Sequence, residues 1–178
     1  MALDRANTIR GALAGAVAAG VWAAQQPLDI KVFGLRYDDT ELLGKAVTRG
    51  PLWRPVGWAL HIANGALFGA AYAALAPRVQ LPSWSRGPLA GLGEHVATWP
   101  LTALLPAVHP AAGDFPPLTT DPRAFAQATW RHLLFGTILG ELERRLNAPD
   151  EVDVPAYEAV VSTNGHGDLE KALSGATE

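Results

Sequence analysis

Hydrophobic and polar positions fall in long blocks along this chain rather than alternating. The longest apolar block is Trp58 to Ala76, WALHIANGALFGAAYAALA. Between Arg54 and Arg78 there is no Asp, Glu, Lys or Arg, and His61 is the only histidine. Those 23 residues predict a helix of about 34 Å, enough to cross a bilayer core of roughly 30 Å. Apolar residues run all round it, unlike the single stripe of a surface helix. At about 100° per residue, His61, Gly65, Phe68 and Tyr72 share a face, with Asn64 and Gly69 at its margins. A small, partly polar face on an otherwise apolar helix predicts packing against other helices in lipid.

Three further blocks read the same way. A first helix over about 7–26 follows Arg5 and Arg10 with GALAGAVAAGVWAAQQP; Gly11, Gly15, Ala18 and Trp22 line one face, which favours a retained helix over a cleaved signal peptide. The second helix is the block at about 55–76. A third, about 87–108, is interrupted by Glu94 and His95, with a kink expected at Pro100. The fourth, about 122–146, opens with Asp121 as N-cap and Pro122 in the first turn.

Between the first two helices, Asp38 and Glu41 have capping-box spacing, and Leu42, Leu43, Ala46 and Val47 follow on one side. A short interfacial helix and a solvated loop with one helical turn both fit. The four prolines of HPAAGDFPPLTTDP forbid a regular helix. From Asn147 the chain turns polar and acidic, and reads as a mostly disordered tail. The expected organisation is therefore an all-α, four-helix transmembrane bundle over 1–147 with an acidic tail over 148–178.

One spacing recurs in every predicted helix. Gly11–Gly15, Gly65–Gly69, Gly87–Gly91 and Gly136–Gly140 are each a GxxxG pair. One such pair says little, but four, one per segment, predict that all four helices approach closely on glycine faces.

Composition narrows the chemistry. The chain has no cysteine, which removes disulfides, thiolate zinc sites, iron–sulfur clusters and covalent haem attachment. A net charge of −3 gives no reason to expect nucleic acid as a partner; the expected partner is the lipid bilayer, with a homo-oligomer left open. Mean hydropathy is only +0.10, so a soluble Ala-rich helical bundle is the runner-up. Basic residues are nearly balanced between the two sides, with a lean towards both termini inside.

The polar residues at membrane depth form the candidate site: His61, Asn64, Tyr72, Glu94, His95, Arg131, His132, Glu141 and Glu143. Antiparallel arithmetic puts His61 and His132 at similar depth, with Gln25, Asn64, Arg131 and His109 nearby. Glu94 and Glu143 then lie one to two helical turns deeper. Three readings compete: structural hydrogen bonding, a proton or solute path along a wet seam, and a metal or haem site on His61 and His132. Four-helix carboxylate metal sites use inward Glu-x-x-His pairs, which this chain lacks, so no metal or cofactor is expected. No nucleophile elbow, HExxH or Gly-rich phosphate loop occurs, so no enzymatic activity is expected either.

The order of motifs across about residues 55–147 resembles the YagU-like family of bacterial inner-membrane proteins. The shared features are Leu60-His61 with Gly65, Phe68-Gly69 and Tyr72, then Gly87/Gly91. They continue with His109-Pro110 and the Gly113…Pro116 turn, and end with His132-Leu-Leu-Phe-Gly136 leading to Glu141…Arg144-Arg145. The resemblance implies a multi-pass protein of the bacterial inner membrane, with a connection to acid tolerance. The activity expected on this basis is proton or small-solute handling. The other classes left open are a non-transporting scaffold and a metal- or haem-binding protein.

Overall fold

In the computed structural model, residues 4–148 are described, and they are helical throughout with no strand among them. The helices are α1 (Arg5–Phe33), α2 (Asp39–Val47), α3 (Trp53–Leu75), α4 (Ser83–Thr98), the single turn α5 (Leu105–Val108) and α6 (Pro122–Leu146). The acidic tail expected over 148–178 lies outside the described residues apart from Ala148.

Three caps are built as the side chains dictate. Asp4, Asp38 and Asp121 each stand before a helix, and each carboxylate accepts from backbone N–H groups of the first turn. Asp38 caps α2, but Glu41 does not reciprocate; its carboxylate goes to Arg36 and Lys45 instead. Pro122 sits at the start of α6, where its missing N–H costs nothing.

Two boundaries depart from expectation. The first helix does not stop before Pro27; α1 runs seven residues past residue 26, to Phe33, and ends on Gly34 in the left-handed region, φ 62°. The extension carries Asp29 onto α6, and that buried contact outweighs the one backbone hydrogen bond proline removes. The third helix is not one kinked rod over 87–108. It begins at Ser83, ends at Thr98, and passes through a 3₁₀ segment, Trp99–Leu104, into α5. Pro100 and Pro106, six positions apart, leave room only for tighter i→i+3 turns.

Packing follows the glycines. A Cβ on Gly15 would strike the Gly65 carbonyl, and one on Gly69 the Gly11 carbonyl; likewise Gly136 and Gly87 face each other, as do Gly91 and the His132 carbonyl, while Gly140 lies on Gly87. Thus α1 and α3 form one close antiparallel pair, and α4 and α6 another. A further close contact, Gly44 of α2 with Gly57 of α3, lies outside the GxxxG pattern. The two pairs join through α1 against α6, whereas α3 and α4 barely touch. The order across the molecule is α3–α1–α6–α4, open between its two ends.

The halves also repeat in sequence. Gly11-Ala-Leu-Ala-Gly15 of α1 returns as Gly87-Pro-Leu-Ala-Gly91 of α4. The His-x-x-x-Gly-x-x-x-Gly of α3, His61 to Gly69, returns in α6 as His132 to Gly140. Each half is one helical hairpin sealed by its own four glycines.

The interior is small and polar, and the exterior large and apolar. Ala14, Ala18, Ala19, Ala23, Ala73, Ala124 and Ala128 are buried, and four of the five largest fully buried side chains are Arg131, His95, Gln26 and Gln127. Outside, Ile9, Leu13, Val17, Val21, Leu28 and Val32 form an exposed stripe along α1. One helical stretch among the described residues, Trp53–Arg78, is by itself long and apolar enough to cross a membrane.

Candidate functional site

The gap between α3 and α4 opens into a cavity of about 240 Å³. Its walls come from both hairpins: His61 and Phe68 from α3, Glu94 and His95 from α4, Trp22 from α1, and His132 and Phe135 from α6. Asp39, at the start of α2, also lines it. Helical spacing puts these groups together. His61, Gly65 and Phe68 share a face of α3 because they are three and four residues apart, and His132, Gly136 and Phe135 do the same on α6.

His132 is the most constrained of the three histidines. Its Nδ1 lies 2.7 Å from the Ala128 carbonyl, which only accepts, so Nδ1 carries a proton. Its Nε2 lies 2.7 Å from the Glu94 carboxylate, and one proton belongs on that line, on the ring or on the acid. His95 lies alongside, ring centroids 4.8 Å apart. The Thr129 hydroxyl donates to Phe125 O and stands 3.0 Å from His95 Nε2. Having spent its proton, that hydroxyl accepts from His95 Nε2–H, leaving Nδ1 as the acceptor of the neutral ring. His61 differs from both: it is 6% exposed, and its buried Nε2 has no hydrogen-bond partner among the described residues. The indole of Trp22 stands edge-on between His61 and His132, with centroids 5.0 and 4.7 Å away.

Beyond Trp22 lies a second, closed polar cluster around Arg131, which is wholly buried. Its guanidinium grips Asp29 through two bonds of 2.6 Å, reaches Asp39 at 2.7 Å and the Tyr37 carbonyl at 2.8 Å, and stacks on the Tyr37 ring at 5.2 Å. Gln127 also donates to Asp29, and Gln26 to Asp38. Asp39 takes a further bond from Trp22 Nε1 at 3.1 Å, so the closed cluster fixes the ring that separates the two cavity histidines. Burial works to raise the Asp39 carboxyl, but the Arg131 charge, helped by the Tyr37 hydroxyl, holds it below the usual aspartate range. Burial, reinforced by Asp39, pushes the Tyr37 phenol well above its ordinary value.

The predicted seam is thus divided. His61, Asn64, Glu94, His95 and His132 meet at the cavity, with Arg131 immediately behind it. Tyr72, Glu141 and Glu143 do not join them: Tyr72 lies against Gly140, Glu141 pairs with Arg144 and Arg145, and Asn147 donates to Glu143, all towards the far end of α6. Glu94 is level with His132 rather than deeper, because α4 starts four residues earlier than the 87 expected from sequence. His109 stands apart, bonded to the Leu42 carbonyl. Trp22, on the same face of α1 as Gly11, Gly15 and Ala18, is in the core.

Asp29, Asp39, Gln26 and Gln127 were missing from the sequence reading. Gln127 was legible in principle, being one turn before Arg131. Asp29 lies beyond the expected helix end near residue 26, on the part of α1 that continues past Pro27. Among the described residues no group of three or more His, Asp or Glu side chains is disposed to hold a metal ion. Compared with protein-family models, curated proteins and solved structures, the chain matches none.

Proposed function

We propose that this protein is a multi-pass membrane protein that moves protons or a small solute through the cavity between its two hairpins. The membrane placement is supported by the inverted distribution of side chains. Leu, Ile, Val and Trp face outward while Arg131, Gln26, Gln127 and His95 are buried, the reverse of what water selects. Between Arg10 and Asp29 the chain carries no Asp, Glu, Lys or Arg, as between Arg54 and Arg78. The charge within α6 at depth, Arg131, is fully paired, as lipid demands. The motif order shared with the YagU-like family agrees with an inner-membrane location.

The observation that carries the functional reading is the His132–Glu94 pair, 2.7 Å apart in a cavity also lined by His61 and His95. Histidine is the side chain whose ordinary titration range spans physiological acidification, and a pair that shares one proton can take it from one side and release it to another. Parallel repeats with a site at their interface are a recurrent plan of membrane carriers, and the two hairpins here meet around the cavity in that manner.

Two measurements test this. The protein should remain in washed membranes until detergent is added. In liposomes it should carry protons under a gradient between about pH 5 and about pH 7, where histidine titrates, and Glu94→Gln should abolish the flux. A protein that is soluble without detergent, or flux unchanged by Glu94→Gln in a folded variant, overturns the proposal.

A further inference from the structure

We infer that the cavity between α3 and α4 is a binding site for a small organic cation, an ammonium group on an apolar ring or chain, which displaces the proton shared by His132 and Glu94. This rests on the reading of the cavity as a functional site and names what it takes besides protons.

The walls supply acceptors and rings but no spare cation. Among the described residues no Lys or Arg lines the cavity, and Arg131 behind it is spent on Asp29, Asp39 and Tyr37. An anion would find no unpaired positive charge. A purely apolar molecule would strip water from the Glu94 carboxylate, whose side chain is 33% exposed, and offer it nothing in return. An ammonium suits these walls: its N–H groups donate to the Glu94 carboxylate, the most exposed polar group of the pair, and its charge lies against aromatic side chains. Trp22, Phe68, Trp99 and Phe135 line the space, and Phe68 and Phe135 stand 5.5 Å apart, edge to face. Rings of this kind attract cations through their quadrupoles.

The charge balance sets the exchange. With the cavity free, one proton sits between His132 Nε2 and Glu94. When the cation enters, it takes over the Glu94 charge and the proton leaves to solvent, so one positive charge replaces another. The groups facing His132 are Glu94 and His95 from α4, His61 from α3 and Asp39 from α2, while α1 presents the neutral Trp22. Asp39 is already engaged by Arg131 and Trp22, so Glu94 is the carboxylate at which cation and proton compete.

Three probes of one shape, benzylammonium, benzyl alcohol and benzoate, are titrated into the purified full-length protein in detergent, with Trp22 and Trp99 as fluorescent reporters and calorimetry as the second readout. Benzylammonium alone should bind, releasing one proton, with its Kd rising about tenfold per pH unit on acidification below the titration of the pair. Glu94→Gln should lose the affinity and Glu94→Asp, which keeps the charge, should recover it. Equal binding of benzyl alcohol, preferred binding of benzoate, or no binding of any probe overturns the inference. Proton flux that persists in liposomes without benzylammonium binding removes this inference and leaves the functional proposal standing; binding with flux of neither protons nor benzylammonium does the reverse.

Discussion

The two polar clusters at the heart of this molecule are neighbours built on opposite terms. Around Arg131 every charge is paired: the guanidinium spends its bonds on Asp29, Asp39 and Tyr37, and Gln26 and Gln127 donate to the acids, with Gln127 Oε1 alone left without a partner among the described residues. Around the adjoining cavity, His61 Nε2 has no partner among the described residues and a single proton joins His132 to Glu94. Trp22 touches both, bonding Asp39 with its N–H and edging both histidines with its ring. The difference teaches where to look for function in a polar interior. A closed cluster of paired charges locks helices together and has little left to offer a ligand, whereas one that lines a cavity contributes less to stability and keeps its groups for binding.

That contrast is broken most severely at Arg131. Arg131→Met should leave Asp29 and Asp39 as buried, unpaired acids and cost about 3–5 kcal/mol, read as loss of the folded protein in detergent thermal denaturation. If Arg131→Met melts like the parent, the closed cluster is not what holds α1 to α6.

The glycine seams come next. Gly15→Ala should cost about 1–3 kcal/mol by overpacking, since its new Cβ runs into the Gly65 carbonyl. Gly20→Ala, on the same helix with open space around it, should instead gain up to about 1 kcal/mol from helix propensity. Equal effects at the two positions would deny that α1 and α3 meet on glycine.

A pH scan sharpens the comparison further. Asp39 titrates below the ordinary aspartate range in the folded protein, so its contribution is complete above the unfolded value of about 3.9 and is lost as pH falls through the lower, folded one. Thermal stability should therefore hold down to about pH 4 and decline beneath it, and Asp39→Asn should remove part of that decline. A decline of the same size in Asp39→Asn would place the sensitive group elsewhere.

The smallest effect on stability belongs to the cavity. His61→Phe fills a similar volume and strands no partner, because Nε2 has none among the described residues, so the melting free energy should stay within about 0.5 kcal/mol of the parent. A drop of 1–3 kcal/mol, the cost of a broken buried hydrogen bond, would mean that His61 belongs with the structural cluster after all.

How far the sequence foretold this arrangement depends on the range of each signal. Helical blocks and glycine spacing are local and periodic, so the all-helical fold and the glycines that pack α1 on α3 and α4 on α6 could be read directly. His61, His132 and Glu94 were visible as polar residues in apolar blocks. What failed was vertical register: an error of four residues at the start of α4 moved Glu94 a full turn away from His132. Asp29 failed for a different reason. A local rule, that proline ends a helix, was overridden by a contact with a residue about a hundred positions away, which no window of the sequence displays.

The hairpin repeat has a consequence for the order in which the molecule is made. The first hairpin emerges complete, sealed by Gly11, Gly15, Gly65 and Gly69, while the residue that neutralises it is still to come. Until α6 is synthesised, Asp29 and Asp39 have no guanidinium, and water must serve them at the end of α1. Arg131 arrives on α6 and displaces that water as the second hairpin docks. The hairpins are thus committed to their closed form only when α6 is present, and a nascent protein halted after the first hairpin is left with its acids hydrated and its future cavity one-sided.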